Sequence, residues 1–281
     1  GLLGRLGMTQ KTDSFAEYPA RSLEVAQCTL ITAWESLGNY WDDLVVVGGL
    51  AVHYSLSPEK LRAANLPGAV TLDVDFGISL GASAGMYGMI LSDLSGLGFK
   101  QEDERLVKMV QGRSLYIDFL TEDAGLRGSG RQIDGITASL CPGIGRALQK
   151  RRWVEVEGKD VYGSQRTLKV PIADIGPLLV LKLNAFEGRK HPKDAYDVLL
   201  AVTAWHEGAE AAVAAFQAKE TAGNRGFSRA KRAVEEHFVS LDQLAPTRAM
   251  QFLYEDSPAS GSQGRKVMED LVTIGQALLG R

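Results

Sequence analysis

The 281 residues carry 31 basic and 34 acidic side chains, a net charge of −3, so no global basic field holds nucleic acid indiscriminately and any such partner must meet a local patch. A hydrophobic share of 45% supports a sizeable core in one large or two modest domains. No apolar run approaches a membrane span, no secretory apolar region opens the chain, and Cys28 and Cys141 form no C-x-x-C pair; the expectation is a cytoplasmic protein with free thiols and no membrane partner.

In chain order, apolar spacing predicts a helix over Ser22–Leu37, a fully apolar strand over Leu44–Val47, a Gly48-Gly49 break and a helix over Gly49–Leu56. The stretch 57–68 reads as an insertion before a strand over Val70–Ile78, and a helix over Ala84–Leu97 follows. Strands are expected near Phe99–Glu104, Arg105–Gln111 and Ser114–Leu120. A helical stretch over Ile136–Lys150 comes next, then short strands around Trp153–Val156 and Thr167–Val170, bounded by Gly158 and Pro171. From Ile175 the pattern is almost wholly helical, with bundle-like spacing over Ala209–Thr221, Ser228–Phe238, Thr247–Leu253 and Lys266–Leu279 and a mobile loop at Ser257–Gly264. The expected architecture is a mixed α/β (α+β) lobe over residues 20–174 and a helical lobe over 175–281, with a cleft between them.

Alternation inside the strand Val70–Ile78 puts Val70, Leu72, Val74, Phe76 and Ile78 on one face and Thr71, Asp73 and Asp75 on the other. Two like charges held side by side are tolerable when water screens them or when a divalent cation lies between them. The strand at Ser114–Leu120 repeats the construction, with Leu115, Ile117 and Phe119 facing one way and Ser114, Tyr116 and Asp118 the other. If the two strands are neighbours, three carboxylates converge on the face away from the core, a plausible oxygen-ligand site for two Mg²⁺ or Mn²⁺ ions.

Strand Leu44–Val47, glycine turn and helix also place free backbone N–H groups near Gly48 and Gly49, where no side chain obstructs a phosphate. Neither the G-x-G-x-x-G fingerprint nor the G-x-x-x-x-G-K-[ST] loop occurs. Further on, Asp174 caps a helix through Phe186, with Gly188 just past its end and Lys182 inside an apolar stretch. That lysine either snorkels to water or offers its ammonium to a phosphate. His191-Pro192 marks a turn into a second helix bearing Asp194 near its positive end, with Asp197 on the same face. His53, His206 and His237 have no metal-ligand spacing and read as packing or surface residues. Two basic clusters, Arg146, Lys150, Arg151, Arg152 and Arg225, Arg229, Lys231, Arg232, read as solvated faces that could also contact RNA phosphates.

The order of apolar strand, Gly48-Gly49, helix, Thr71-x-Asp73-x-Asp75 and strand-borne Asp118 resembles the nucleotidyltransferases of the DNA polymerase β superfamily. The run Lys182-Leu183-Asn184-Ala185, then Arg189, then Lys193-Asp194-Ala195-Tyr196-Asp197-Val198 is similar to the signature of its AbiEii and MenT-like branch, which includes toxins of toxin–antitoxin and phage-defence systems. The resemblance implies a metal-dependent transfer of a nucleotidyl group from a nucleoside triphosphate to an acceptor hydroxyl. Asp73 and Asp75 would hold both metals and Asp118 the acceptor-side ion; Gly48 and Gly49 would cradle the triphosphate. Lys182 and Arg189 would face its phosphates, with Asp194 ordering the active-site cation. A tRNA 3′ end is the acceptor suggested by the branch, a protein side chain and a small molecule being alternatives, and a cognate antitoxin is an implied partner. The competing expectations are a docking module on the same scaffold with vestigial acids and, behind it, a nuclease using the same carboxylates.

Overall fold

The computed structural model describes residues 12–79, 86–122, 130–133, 136–255 and 261–281. Helix α1 (Ser22–Leu37) buries Ala26, Leu30, Ile31, Trp34 and Leu37, and the Trp34 ring stacks on Phe76 at 6.0 Å. A 3₁₀ segment, Gly38–Asp43, leads into β1 (Leu44–Val47), whose four residues are all buried. Gly48 turns the chain with φ +69° and opens α2 (Gly48–His53), which ends three residues earlier than the spacing suggests. The stretch 57–68 is largely α3 (Pro58–Ala64): the Ser57 hydroxyl accepts from the Lys60 N–H at 3.3 Å, Pro58 fits the first turn, and left-handed Asn65 ends it.

Strand β2 (Asp73–Ile78) starts three residues later than its alternation predicts: its pairing with β1 reaches Val47↔Asp75 and its pairing with the other neighbour begins at Asp73↔Tyr116. Helix α4 (Met86–Gly96), β3 (Lys100–Glu102), β4 (Arg105–Val110) and β5 (Arg113–Thr121) follow; the expected helix start at Ala84 lies outside the described residues. The helix expected over Ile136–Lys150 is corrected. Its first part is β7 (Ile136–Leu140), paired with β5 and with β6 (Gly130–Ile133), and only after Pro142 and Gly143 does α5 (Ile144–Gln149) begin. Gly143, at φ +112°, is the breaker that separates a β-branched alternating segment from the helix. The two short strands expected next are longer, β8 (Arg151–Lys159) and β9 (Gln165–Ala173), paired along their whole length.

The result is a mixed α/β fold. Among the described residues nine strands form one sheet with the path β3-β4-β5-β2-β1-β9-β8; β7 takes the edge of β5 beyond the end of β4. β2 runs parallel to β5 and antiparallel to β1. From there the chain is helical through α6 (Ile175–Arg189), α7 (Pro192–Thr203), α8 (Ala209–Gln217), α9 (Lys219–Ala222), α10 (Phe227–His237), α11 (Leu244–Tyr254) and α12 (Gly261–Leu278). Helix α6 runs through Gly188, expected to lie past its end, and stops at left-handed Lys190, whose ammonium returns to the Glu187 carbonyl at 2.8 Å and its carboxylate at 2.5 Å. Of the loop expected at Ser257–Gly264, residues 257–260 lie outside the described residues and Gly261 onward is helix. The helices do not stand apart from the sheet: one continuous buried cluster joins Leu30, Val46 and Phe76 to Leu179, Tyr196 and Phe252. Among the described residues no helix is long and apolar enough to cross a membrane.

Candidate metal and nucleotide site

The pairing of β2 with β5 brings the three acids together. Asp75 lies directly across from Asp118 and Asp73 across from Tyr116, while Val74, Phe76, Ile117 and Phe119 are buried on the opposite face. One oxygen from each of Asp73, Asp75 and Asp118 lies within 4.8 Å of the others. The set is entirely oxygen and hard in character, the donor type Mg²⁺ and Mn²⁺ prefer. Burial, then Asp75 and then Asp73 push the Asp118 carboxyl up to about 7, against the pull of Arg105. Mutual repulsion among these acids is therefore a real load on the fold, and a cation relieves it.

Arg105 supplies that cation in part, and sequence reasoning missed it. Its Nε donates to Asp118 Oδ1 at 2.9 Å, and its Nη2 reaches Asp118 Oδ2 at 2.5 Å and Asp73 Oδ2 at 3.1 Å. The guanidinium also lies 4.5 Å over the Tyr116 ring. The signal was present in the hairpin: Gln111 and Gly112 both have positive φ, a two-residue turn that fixes Val110↔Arg113. Counting back along both strands from that pair sets Arg105 opposite Asp118.

The glycine pair is tied to the same acids. A Cβ on Gly48 would fall 1.8 Å from Asp75 Oδ2, and one on Gly49 would fall 2.6 Å from Thr71 Cβ. Both glycines are thus required by side chains of β2 and of the residues just ahead of it, a reason distinct from phosphate access. Thr71 in turn donates to Asp73 Oδ1 at 2.9 Å and fixes that carboxylate. Beside Asp73 and Asp75 is a cavity of about 10 Å³ walled by Tyr18, Gly49, Thr71, Leu72 and Lys193, room for one water or ion. Tyr18 reaches it from the segment preceding α1, which is held to α11 by the Phe15 N–H on the Phe252 carbonyl at 2.7 Å and by Tyr18 packing edge-on to Phe252.

Helices α6 and α7 place the cationic side. Lys182 is not in water: it is 5% exposed, and its ammonium donates to Asp197 Oδ2 at 2.7 Å. Lys193 donates to the same oxygen at 2.6 Å and also walls the cavity beside Asp73 and Asp75. Burial alone would raise the Asp197 carboxyl, but Lys182 and Lys193 outweigh it and bring it to about 2. Burial likewise opposes the charge on Lys193, and Asp197, followed by Asp194 and Asp73, more than offsets it. Asp194, fully buried, accepts from Arg189 through both oxygens at 3.0 and 2.8 Å, leaving the Arg189 side chain 47% exposed. Asp194 therefore orders an arginine, and Asp197, given no role of its own in the sequence reading, orders the two lysines.

The other residues singled out in the sequence divide clearly. Arg151 and Arg152 are internal ties: Arg151 donates to the Leu44 carbonyl at 2.9 Å, and Arg152 donates to the Tyr54 carbonyl at 2.6 Å and stacks 5.0 Å over Trp205. Arg225 and Arg229 are exposed, the first 3.4 Å from Glu122 and the second beside Gly188, one residue before Arg189. His53 is packed edge-on against Tyr54, and burial lowers its pKa. Glu187, Glu236 and His237 form a second group close enough to share an ion, but Lys190 already neutralises the Glu187 carboxylate at 2.5 Å. Cys28 and Cys141 are free thiols, and burial together with Asp75 pushes Cys141 up to about 12, so it is protonated at neutral pH. No family model matches the chain, and no curated protein matches it.

Proposed function

We propose that the chain is a metal-dependent nucleotidyltransferase of the polymerase β type, transferring a nucleotidyl group from a nucleoside triphosphate to an acceptor hydroxyl. The observation that carries this reading is the convergence of Asp73, Asp75 and Asp118 on one sheet face, beside the Gly48-Gly49 turn. Bound Mg²⁺ or Mn²⁺ would supply charge neutralisation on the reacting phosphate. The chain's own residues do the rest. Asp73 and Asp75 would hold the metal through their carboxylate oxygens, Asp73 fixed by Thr71. Asp118, whose carboxyl is pushed up by burial and by Asp75 and Asp73, orients or takes the proton of the acceptor hydroxyl. The cavity beside the acids is too small for a triphosphate, so the nucleotide lies outside it, toward half-exposed Arg189, whose fork on Asp194 aims a fixed positive charge at the leaving pyrophosphate. Lys182 and Lys193, held through Asp197, set the positive potential behind it. Of the acceptors, RNA has support in exposed Arg229, beside Gly188 and so next to Arg189, and in exposed Arg225 beside Glu122.

One observation favours a second reading. Arg105 already satisfies Asp118 and Asp73, as it would in a docking module whose acids never meet a metal. Incubation with each labelled nucleoside triphosphate and Mg²⁺, followed by mass spectrometry of candidate RNAs, proteins and small hydroxylated molecules, separates the two. A product carrying one nucleotidyl group, lost in Asp75→Asn, supports the enzyme; no product with any triphosphate in tRNA, protein or small-molecule pools supports the docking module.

A further inference from the structure

The Arg105 guanidinium occupies the place a metal would take. Its Nη2 lies between Asp73 Oδ2 and Asp118 Oδ2, at 3.1 and 2.5 Å, while its Nε closes the fork on the second Asp118 oxygen at 2.9 Å. A Mg²⁺ shared by those two carboxylates needs its oxygens at about 2.0–2.1 Å, so a metal centre and Nη2 cannot both lie between them. The competition is also electrostatic. Three carboxylates attract one cation strongly, and a half-buried guanidinium, 13% exposed, gains three charge-assisted contacts to two of them that a hydrated one would lack. The side chain has a second anchor, the Tyr116 ring 4.5 Å below its Cζ, on the same strand and face as Asp118. Tyr116 allows the guanidinium to leave the carboxylates without losing every partner.

We propose that Arg105 is the resident counter-ion of the acidic site and is exchanged for the divalent cation: metal enters between Asp73 and Asp118 only as the guanidinium withdraws, so Arg105 sets how tightly the site holds metal. This rests on the metal-dependent reading above. It accounts for how the fold holds three carboxylates side by side, and it makes metal loading a switch of one cation for another.

Calorimetric titration with Mn²⁺, without nucleotide, compares the full chain with Arg105→Met and Arg105→Lys. Arg105→Met should bind Mn²⁺ at least about tenfold more tightly than the parent, and Arg105→Lys, a point charge without the fork, should fall between. In the parent chain, the Nε–Hε signal of Arg105 in ¹⁵N spectra should shift and lose exchange protection as Mg²⁺ is added, with the midpoint of Mg²⁺ binding. That measurement stands if Arg105→Met fails to fold. Mn²⁺ affinity equal to or weaker than the parent's in both variants, or an Arg105 signal unmoved while Mg²⁺ binds, overturns the exchange and leaves the metal site standing. If neither the parent nor the variants bind Mn²⁺ or Mg²⁺, the metal-dependent reading falls and the exchange with it.

Discussion

Gly48 and Asp75 face each other so closely across β1 and β2 that a Cβ at position 48 would lie 1.8 Å from the Asp75 carboxylate. Gly48 also has φ +69°, where a side chain is strained regardless of space. Gly48→Ala should therefore lower stability by roughly 1–3 kcal/mol, part from the backbone and part from pushing Asp75 aside. Asp75→Ala removes only the second part. Chemical denaturation of both single variants and the double variant should show positive coupling; strictly additive losses would mean that the carboxylate does not confine residue 48.

Asp73→Asn and Asp75→Asn should each abolish transfer and weaken Mg²⁺ binding at least about tenfold, while changing metal-free stability by no more than about 1 kcal/mol, because a lost charge contact is offset by relieved repulsion. Calorimetric unfolding and a transfer assay check the two halves independently. Turnover at the parent rate in either variant would remove these residues from the metal site.

Much of this site was legible because strand alternation is a local property. Asp73, Asp75 and Asp118 could be assigned to outward faces from their own segments, and the ladder Asp75↔Asp118 joined them. Arg105 and Asp197 were not, since their meaning lies in partners 13 and 15 residues away, set by hairpin register and helix packing. Tyr18 was beyond reach altogether: nothing local ties a residue before α1 to α11 and to Asp73. The misread helix over Ile136–Leu140 shows the reverse error. Its β-branched and small residues suit a strand, and Pro142 and Gly143 set the boundary at which the helix begins.

Lys182 illustrates how packing changes an expected outcome. From an apolar helix alone, Lys182→Ala should cost little stability; with the ammonium 2.7 Å from buried Asp197, it should cost roughly 1–3 kcal/mol, softened because Lys193 remains. Asp197→Ala, which leaves two buried ammoniums without their shared carboxylate, should cost more, about 3–5 kcal/mol. The pH dependence has a definite sign. Asp197 is held at about 2, below an ordinary carboxyl of 3.8, so its contribution is complete above pH 4 and is lost as pH falls toward 2. The linkage is on the order of 2 kcal/mol, read as the steepness of acid unfolding. Acid unfolding of equal steepness in Asp197→Asn, assayed where that variant folds, would show that the stabilising charge lies elsewhere.

A toxin-like role would follow from modification of an essential acceptor. Expression of the chain alone should then slow bacterial growth, and Asp73→Asn should relieve the effect. Growth inhibition that persists in Asp73→Asn points to docking rather than chemistry, whereas absence of inhibition by the parent favours a small-molecule acceptor.

If the acceptor is RNA, the structure divides its arginines sharply. With a net charge of −3 there is no general attraction, so binding must come from exposed cations near the site. Arg225 and Arg229 are exposed beside Glu122 and Gly188, whereas Arg151 and Arg152 are committed to main-chain carbonyls inside the fold. Arg225→Glu with Arg229→Glu should weaken tRNA binding strongly and flatten its dependence on the logarithm of salt concentration by about two, the number of phosphate contacts removed. Arg152→Ala should instead lower the unfolding midpoint, by losing its hydrogen bonds to Tyr54 and Ser55 and its stack on Trp205, with the salt slope unchanged. Filter binding across a salt series, paired with thermal unfolding of each variant, reads both effects. A salt slope altered by Arg152→Ala but not by the double charge reversal would place the RNA against Arg152 rather than against Arg225 and Arg229.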